Sequence, residues 1–247
     1  MDSLKQIPAK AFENSMVEHI REFFPNHYRV AGKPVVGEVI KYGIMQAKKY
    51  DFTSERNVCL YITVMFMLGS NFDSDILFPW AADILEDKNM PDPTARADKL
   101  TDTALDFLRQ IAGSNNSNMN RAFLTLRKEL PRLSEKTDFD KFDHYMTEKL
   151  NGIFPKKYEI LGENIISQLI FNGVNKASMY KISEHRGQAL FIILMFFLGS
   201  AIDKEPFLPW IRAILNNKPI DDKTDRVNRL YDESIIFLEK WFEKLPQ

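Results

Sequence analysis

The sequence has 247 residues, of which 45% are hydrophobic and 27% are charged, as in an ordinary globular protein. Its formal net charge of −1 does not favour a general nucleic-acid binder, which needs a basic surface to meet phosphate groups. Cys59 is the only cysteine, which excludes a disulfide within the chain and a zinc site built from several cysteines. We therefore expect a reducing compartment, the cytoplasm. The N-terminus lacks the basic flank and apolar run of a signal peptide.

In chain order, apolar residues at helical spacing predict a first helix near 12–24 and a second near 34–49. Phe24-Pro25 separates the two, because a residue before proline avoids helical geometry. A third helix contains the apolar run 61–70, which is too short to cross a membrane and is typical of a helix buried on all sides. Thr53 is its expected N-cap and Gly69 its expected end.

Pro79-Trp80 predicts the start of a short fourth helix, and a fifth helix is expected after Asp92. The stretch 113–118 is rich in Gly, Ser and Asn and is predicted to be a loop. A helix over about 120–130 should follow, with Pro131 ending it. No period-two strand pattern is present, so the sequence predicts an all-α fold.

The chain carries a long internal repeat. Residues 24–108 align without a gap to residues 154–238, an offset of 130 positions, and about a third of the pairs are identical. We call these the first and second copies. A repeat of this length is the size of a small domain. It predicts two tandem homologous helical lobes of about five helices each: lobe 1 over 1–112, a linker with a helix over 113–141, and lobe 2 over 142–247.

Several residues kept in both copies are predicted to be structural. Gly43 and Gly173 lie inside helices, where glycine is unfavourable, and so indicate the close approach of another helix. Asp92 is placed as an N-cap and, four residues before Arg96, as an ion-pair partner. The full structural set comprises Arg56, Arg186, Gly43, Gly173, Trp80, Trp210, Asp92 and Asp222.

No catalytic or metal-binding pattern stands out. The four histidines are not at metal-ligand spacing, and none is kept in both copies. No phosphate-binding glycine motif occurs. We therefore expect no metal, no cofactor and no catalytic residue. The duplicated acids leave open one alternative, a helical enzyme that uses them as general acid and base.

An acidic cluster in the first copy is the candidate partner-binding site. It comprises Asp73, Asp75, Asp83, Glu86 and Asp87. Its counterpart in the second copy thins to Asp203 and Glu205. A solvated surface would explain the cluster, and so would a docking face for a basic partner, since complementary charge speeds encounter and selects partners.

The segment 50–62, together with Met65-Phe66, Gly69, Phe72-Asp73 and 77–81, resembles an all-helical module of uncharacterised bacterial proteins that is often encoded near type VI secretion effector or spike genes. The second copy matches through Arg186, 195–199, Asp203 and 208–210, and departs at Glu184-His185 and Gly187-Gln188.

This resemblance implies a non-enzymatic protein-binding role. The favoured hypothesis is an immunity protein that binds and neutralises a cognate toxin in the cytoplasm, without nucleic acid or membrane. The alternative is an adaptor that loads an effector onto the secretion spike.

Overall fold

The computed structural model describes residues 9–133, 141–216 and 223–243. Within these ranges the chain forms α-helices, 3₁₀ turns and loops, and no β-strand, which confirms the all-α prediction. The helices are α1 Ala9–Phe23, α2 Pro25–Ala47, α3 Glu55–Leu68, α4 Pro79–Leu85, α5 Pro93–Ala112, α6 Ser117–Glu129, α7 Phe142–Ile153, α8 Pro155–Met179, α9 His185–Leu198, α10 Pro209–Leu215 and α11 Lys223–Phe242.

Equivalent helices recur at the offset of the sequence repeat. Helices α3 and α9 begin and end 130 residues apart, and so do α4 and α10. Gly32 in α2 and Gly162 in α8 both leave helical geometry, with φ and ψ of 77° and 162° in the first and 76° and 162° in the second. The division of the chain into separate lobes stays a prediction.

The Phe-Pro breaks are where the sequence places them. Phe24 and Phe154 are non-helical, and the following prolines open α2 and α8. The second helix expected near residue 34 corresponds to the part of α2 that follows the non-helical Gly32, and the part from Pro25 to this break was not predicted. Proline suits the first helical position, where no partner is needed for a backbone N–H.

Helix α3 is capped one residue later than expected. The Ser54 hydroxyl, rather than that of Thr53, accepts a hydrogen bond from the Asn57 backbone N–H at 3.2 Å. Gly69 and Gly199 end α3 and α9 as predicted. Helix α6 covers most of the expected linker helix, with a 3₁₀ turn containing Pro131 after it.

The equivalent helices α3 and α9 are apolar and form the interior of the molecule. Ile62, Met65, Ile193 and Met195 are at most 2% exposed, and the buried apolar residues of both copies join in one continuous cluster. Each side chain of this size that leaves water contributes about 1.5–3 kcal/mol. The shared cluster makes the contact between the copies part of the core.

Glycine admits a close helix crossing in each copy. A Cβ on Gly43 would lie 2.7 Å from both Ile62 Cγ1 and Met65 Sδ of α3. At Gly173 a Cβ would collide with Ile192 of α9. The predicted reason for these mid-helix glycines is therefore confirmed.

Candidate functional site

The acidic cluster divides into three environments. Asp73 is half-buried, and its Oδ2 accepts hydrogen bonds from the Tyr50 and Tyr61 hydroxyls, both at 2.9 Å. Burial, reinforced by the Asp73 charge, raises the pKa of both tyrosines, which stay neutral donors. Asp203, the equivalent of Asp73, accepts from Tyr180 at 3.1 Å. The pair of aspartates thus anchors the loop after each apolar helix.

Asp75 corrects the expectation of a continuous acidic docking face. It is only 6% exposed, and its two oxygens accept from the backbone N–H groups of Leu77 at 2.9 Å and Ser200 at 2.7 Å. A carboxylate committed to two buried amides cannot meet an external partner. The sequence missed this because a short charged loop residue is normally solvated.

The remaining acids lie on and after helix α4. Asp83 and Glu86 are exposed, and Asp87 is half-buried, with its Oδ1 accepting from the Asn89 backbone N–H at 2.9 Å. None of these three carboxylates forms an ion pair with another described residue. The acidic surface of the first copy that lacks an ion-pair partner therefore comprises three residues, fewer than the five of the acidic cluster in the sequence.

The predicted structural residues hold helix ends together. Asp92 caps α5 by accepting from the Thr94 backbone N–H at 3.0 Å. The expected ion pair between Asp92 and Arg96 was wrong, because the Arg96 guanidinium donates to the carbonyls of Leu85 at 2.8 Å and Tyr50 at 3.0 Å. Arginine side chains can satisfy carbonyls left free at helix ends and turns in this way.

Other members of the structural set vary in detail. Arg56 forms an ion pair with Asp98 at 2.7 Å, whereas Arg186 stacks on the Tyr231 ring at 5.1 Å. Trp80 and Trp210 are half-buried against the core. Asp222 lies outside the described residues.

The C-terminal ends of α3 and α9 meet between the copies. Gly69 and Gly199 adopt φ of 109° and 104°, a region that side chains rarely enter. A Cβ on Gly69 would lie 3.3 Å from the Leu198 carbonyl oxygen, and one on Gly199 would lie 3.6 Å from that of Leu68. Glycine therefore permits both the turn and the approach of the two backbones.

Each copy contributes one acid that reaches across this junction and binds the other copy. Glu205 accepts from the Ser70 backbone N–H at 2.7 Å, from the Ser70 hydroxyl, and from the Phe207 backbone N–H at 3.0 Å. Asp75 accepts from the backbone N–H of Ser200 and from that of Leu77 in its own loop. Asp75 and Glu205 are equivalent in the repeat alignment, so each copy supplies the acid that binds the helix exit of the other. We call this arrangement the acid exchange.

A cavity of about 610 Å³ lies beside the acid exchange, and its lining comes from both copies and from α6. Most of the lining is aromatic or aliphatic, including Phe66, Phe197, Phe207, Leu238 and Trp241. Phe23, which is 62% exposed, and the exposed Asn116 also line the cavity, so it reaches the surface. We call it the inter-copy cavity.

Two basic residues line the inter-copy cavity, and they too are repeat equivalents. The His27 ring packs against Phe66, Phe207 and Trp241, and burial lowers the pKa of His27 to about 4. Lys157 is 5% exposed, and burial lowers its pKa to about 8 against the opposing attraction of Asp75. Sequence comparison could not select them, because the residue type differs between the copies.

Among the described residues, no group of three or more His, Cys, Asp or Glu side chains is arranged to hold a metal. The same part of the chain contains no helix with the length and apolar character needed to cross a bilayer. Glu205, which lines the cavity, and its equivalent Asp75 both accept hydrogen bonds from backbone amides, which leaves them poorly placed as general acids or bases.

Comparison with known proteins adds no relative: no family model, no curated protein and no solved structure matches this chain.

Proposed function

We propose that this protein is an immunity protein that binds a cognate bacterial toxin in the cytoplasm and neutralises it without catalysis. The observation that carries the proposal is the exposed, uncompensated acidic surface formed by Asp83 and Glu86 on α4 and its exit. A basic surface on the toxin is the complementary partner.

The charge on this surface is not required by the fold. Asp83 and Glu86 are exposed and form no ion pair with another described residue. At the equivalent positions, the second copy has Ala213 and Asn216, on a helix of the same length and start. Since the helix forms equally well without the acids, their presence in one copy supports a role outside the fold.

The sequence resemblance supplies the biological setting. Its motif residues make contacts within the fold: Tyr50 donates to Asp73, Arg56 pairs with Asp98, and Trp80 packs against the core. The resemblance therefore supports a shared scaffold rather than a shared active site. Divergent surfaces on a shared scaffold suit proteins that each recognise one partner.

The first experiment tests for a partner and its effect on cells. The product of the gene beside this reading frame is co-expressed with the full chain and tested by pull-down and by growth. Immunity predicts a stable complex and restored growth of cells that express the neighbouring product. A complex without growth rescue, together with loss of secretion of that product on deletion of this chain, would instead indicate the adaptor.

The second experiment locates the binding surface. Replacing the two acids by the residues of the second copy, Asp83→Ala with Glu86→Asn, should slow association with the partner about tenfold or more at low salt. The matched control, Asp102→Asn with Glu163→Gln, removes two exposed charges elsewhere and should leave the rate within about twofold. Equal rates for both double variants would place the interface away from α4.

A further inference from the structure

The inter-copy cavity has the size and lining of a small-molecule site. Its volume of about 610 Å³ falls within the range of about 300–1,000 Å³ that is typical of ligand pockets. Phe66, Phe197 and Trp241 present apolar surface inside it.

Lys157 places a positive charge in the cavity lining, which also includes Glu205, and is attracted by Asp75. Its ammonium group donates to the Phe196 carbonyl oxygen at 2.6 Å and lies 5.2 Å from the centre of the Phe196 ring. It forms no ion pair with any described residue. An ammonium group carries three donors, and a buried charge is unfavourable unless it is paired. An anion in the cavity would supply the missing partner.

The protein's own nearby acids do not take this role. The oxygens of Glu205 accept from the backbone and hydroxyl of Ser70 and from the backbone of Phe207. Those of Asp75 accept from two backbone amides. Both carboxylates are thus held in the acid exchange, while Lys157 remains without an acid in bonding contact.

We propose that the inter-copy cavity binds a small amphiphile that has an apolar tail and a single anionic head group, as a fatty carboxylate has. The head group pairs with the ammonium of Lys157, and the tail lies among the aromatic and aliphatic side chains of both copies. This site is separate from the acidic surface on α4 and does not depend on the proposed immunity role.

The test measures dodecanoate binding to the full chain by calorimetry below the micelle concentration, with Trp241 fluorescence as a second readout. We expect one dodecanoate per chain, bound at least tenfold more tightly than dodecan-1-ol. Shortening the chain to decanoate should weaken binding by about fourfold for each methylene removed from the cavity. Dodecyltrimethylammonium, which carries the opposite charge, should bind more weakly than either.

The decisive variant is Lys157→Met, which keeps the length of the side chain but removes the charge. It should lose at least tenfold in dodecanoate affinity and bind dodecan-1-ol as the wild type does. The matched control is Lys156→Met at the neighbouring position, where the lysine is partly exposed and paired with Glu159 at 2.9 Å; it should bind dodecanoate normally.

A second variant keeps the test informative if Lys157→Met fails to fold. Asn120→Trp places a large ring at a partly exposed position of the lining and should abolish binding of both dodecanoate and dodecan-1-ol. Absence of dodecanoate binding to the wild type, or binding that neither Lys157→Met nor Asn120→Trp reduces, would overturn the proposal.

Discussion

His27 and Lys157 occupy equivalent positions in the two copies, yet they give the inter-copy cavity unequal charge. The pKa of His27 is lowered to about 4 and that of Lys157 to about 8, in each case mainly by burial. Near neutral pH the histidine is therefore uncharged and the lysine is largely protonated. One duplicated position thus gives the cavity an apolar, aromatic residue from one copy and a cation from the other.

The buried histidine predicts a loss of stability in acid. The unfolded chain protonates His27 near its usual pKa of about 6.5, whereas the folded chain does so only near pH 4. The free energy of unfolding therefore falls as the pH drops through this window, by roughly 2–3 kcal/mol from this residue. His27→Phe keeps a ring against Phe66 and Trp241, and it should flatten this part of the stability curve.

Urea unfolding of both proteins at pH 7, 5.5 and 4.5 checks this prediction. Other described groups act in the same range in both proteins: burial also lowers the pKa of His19 and raises that of Glu205, and the hydrogen bond with Lys149 lowers the pKa of Glu129. The difference between wild type and variant therefore isolates His27. A difference that stays constant with pH would contradict the assignment.

At the scale of the helices, glycine decides where two elements can approach. Gly43 in α2 faces Ile62 and Met65 of α3 at a distance that excludes even a methyl group. Gly37, six residues earlier on the same helix, has no atom within 4 Å of the position of a Cβ. The two glycines have the same helical propensity but opposite packing environments.

This contrast predicts opposite effects of the same substitution. Gly43→Ala should lower the free energy of unfolding by about 1–3 kcal/mol, because the added methyl group overpacks the crossing. Gly37→Ala should raise it by up to about 1 kcal/mol, because alanine is the better helix former. Chemical denaturation followed by far-UV circular dichroism measures both, and destabilisation of similar size in the two variants would show that the crossing is not the cause.

For the whole molecule, the acid exchange and the shared core predict that the two copies unfold together. Asp75 binds amides from both copies, and the buried apolar cluster runs through both. Asp75→Asn leaves one backbone N–H facing an amide NH₂ group, which costs about 1–3 kcal/mol. This loss of unfolding free energy should appear in a single unfolding transition of the entire chain.

Tryptophan fluorescence and circular dichroism during urea unfolding provide the measurement. Trp80 reports on the first copy, and Trp210 and Trp241 report on the region of the second. Both signals should shift together in Asp75→Asn, whereas the exposed control Asp83→Asn should stay within about 0.5 kcal/mol of the wild type. Two separate transitions would mean that the copies are independent domains.

The sequence by itself determined the helices, the repeat and the buried character of the apolar run 61–70, and therefore of its equivalent 191–200 in the second copy. These follow from local causes: apolar spacing, proline and glycine at helix ends, and a side-chain volume that forces burial. Its errors were also local, such as the cap at Ser54 instead of Thr53 and the helical stretch from Pro25 to the break at Gly32, which it missed.

Only the tertiary structure decided which acids are exposed, where Arg96 donates, and how the copies meet. Asp75 and Asp83 are similar in the sequence, but Asp75 accepts from backbone amides of both copies, whereas Asp83 is exposed to solvent. Likewise, Lys157 becomes a candidate site only when helices from both copies enclose it. Whether a charged side chain is exposed, hydrogen-bonded or buried depends on its neighbours in space, and those neighbours are distant in the chain.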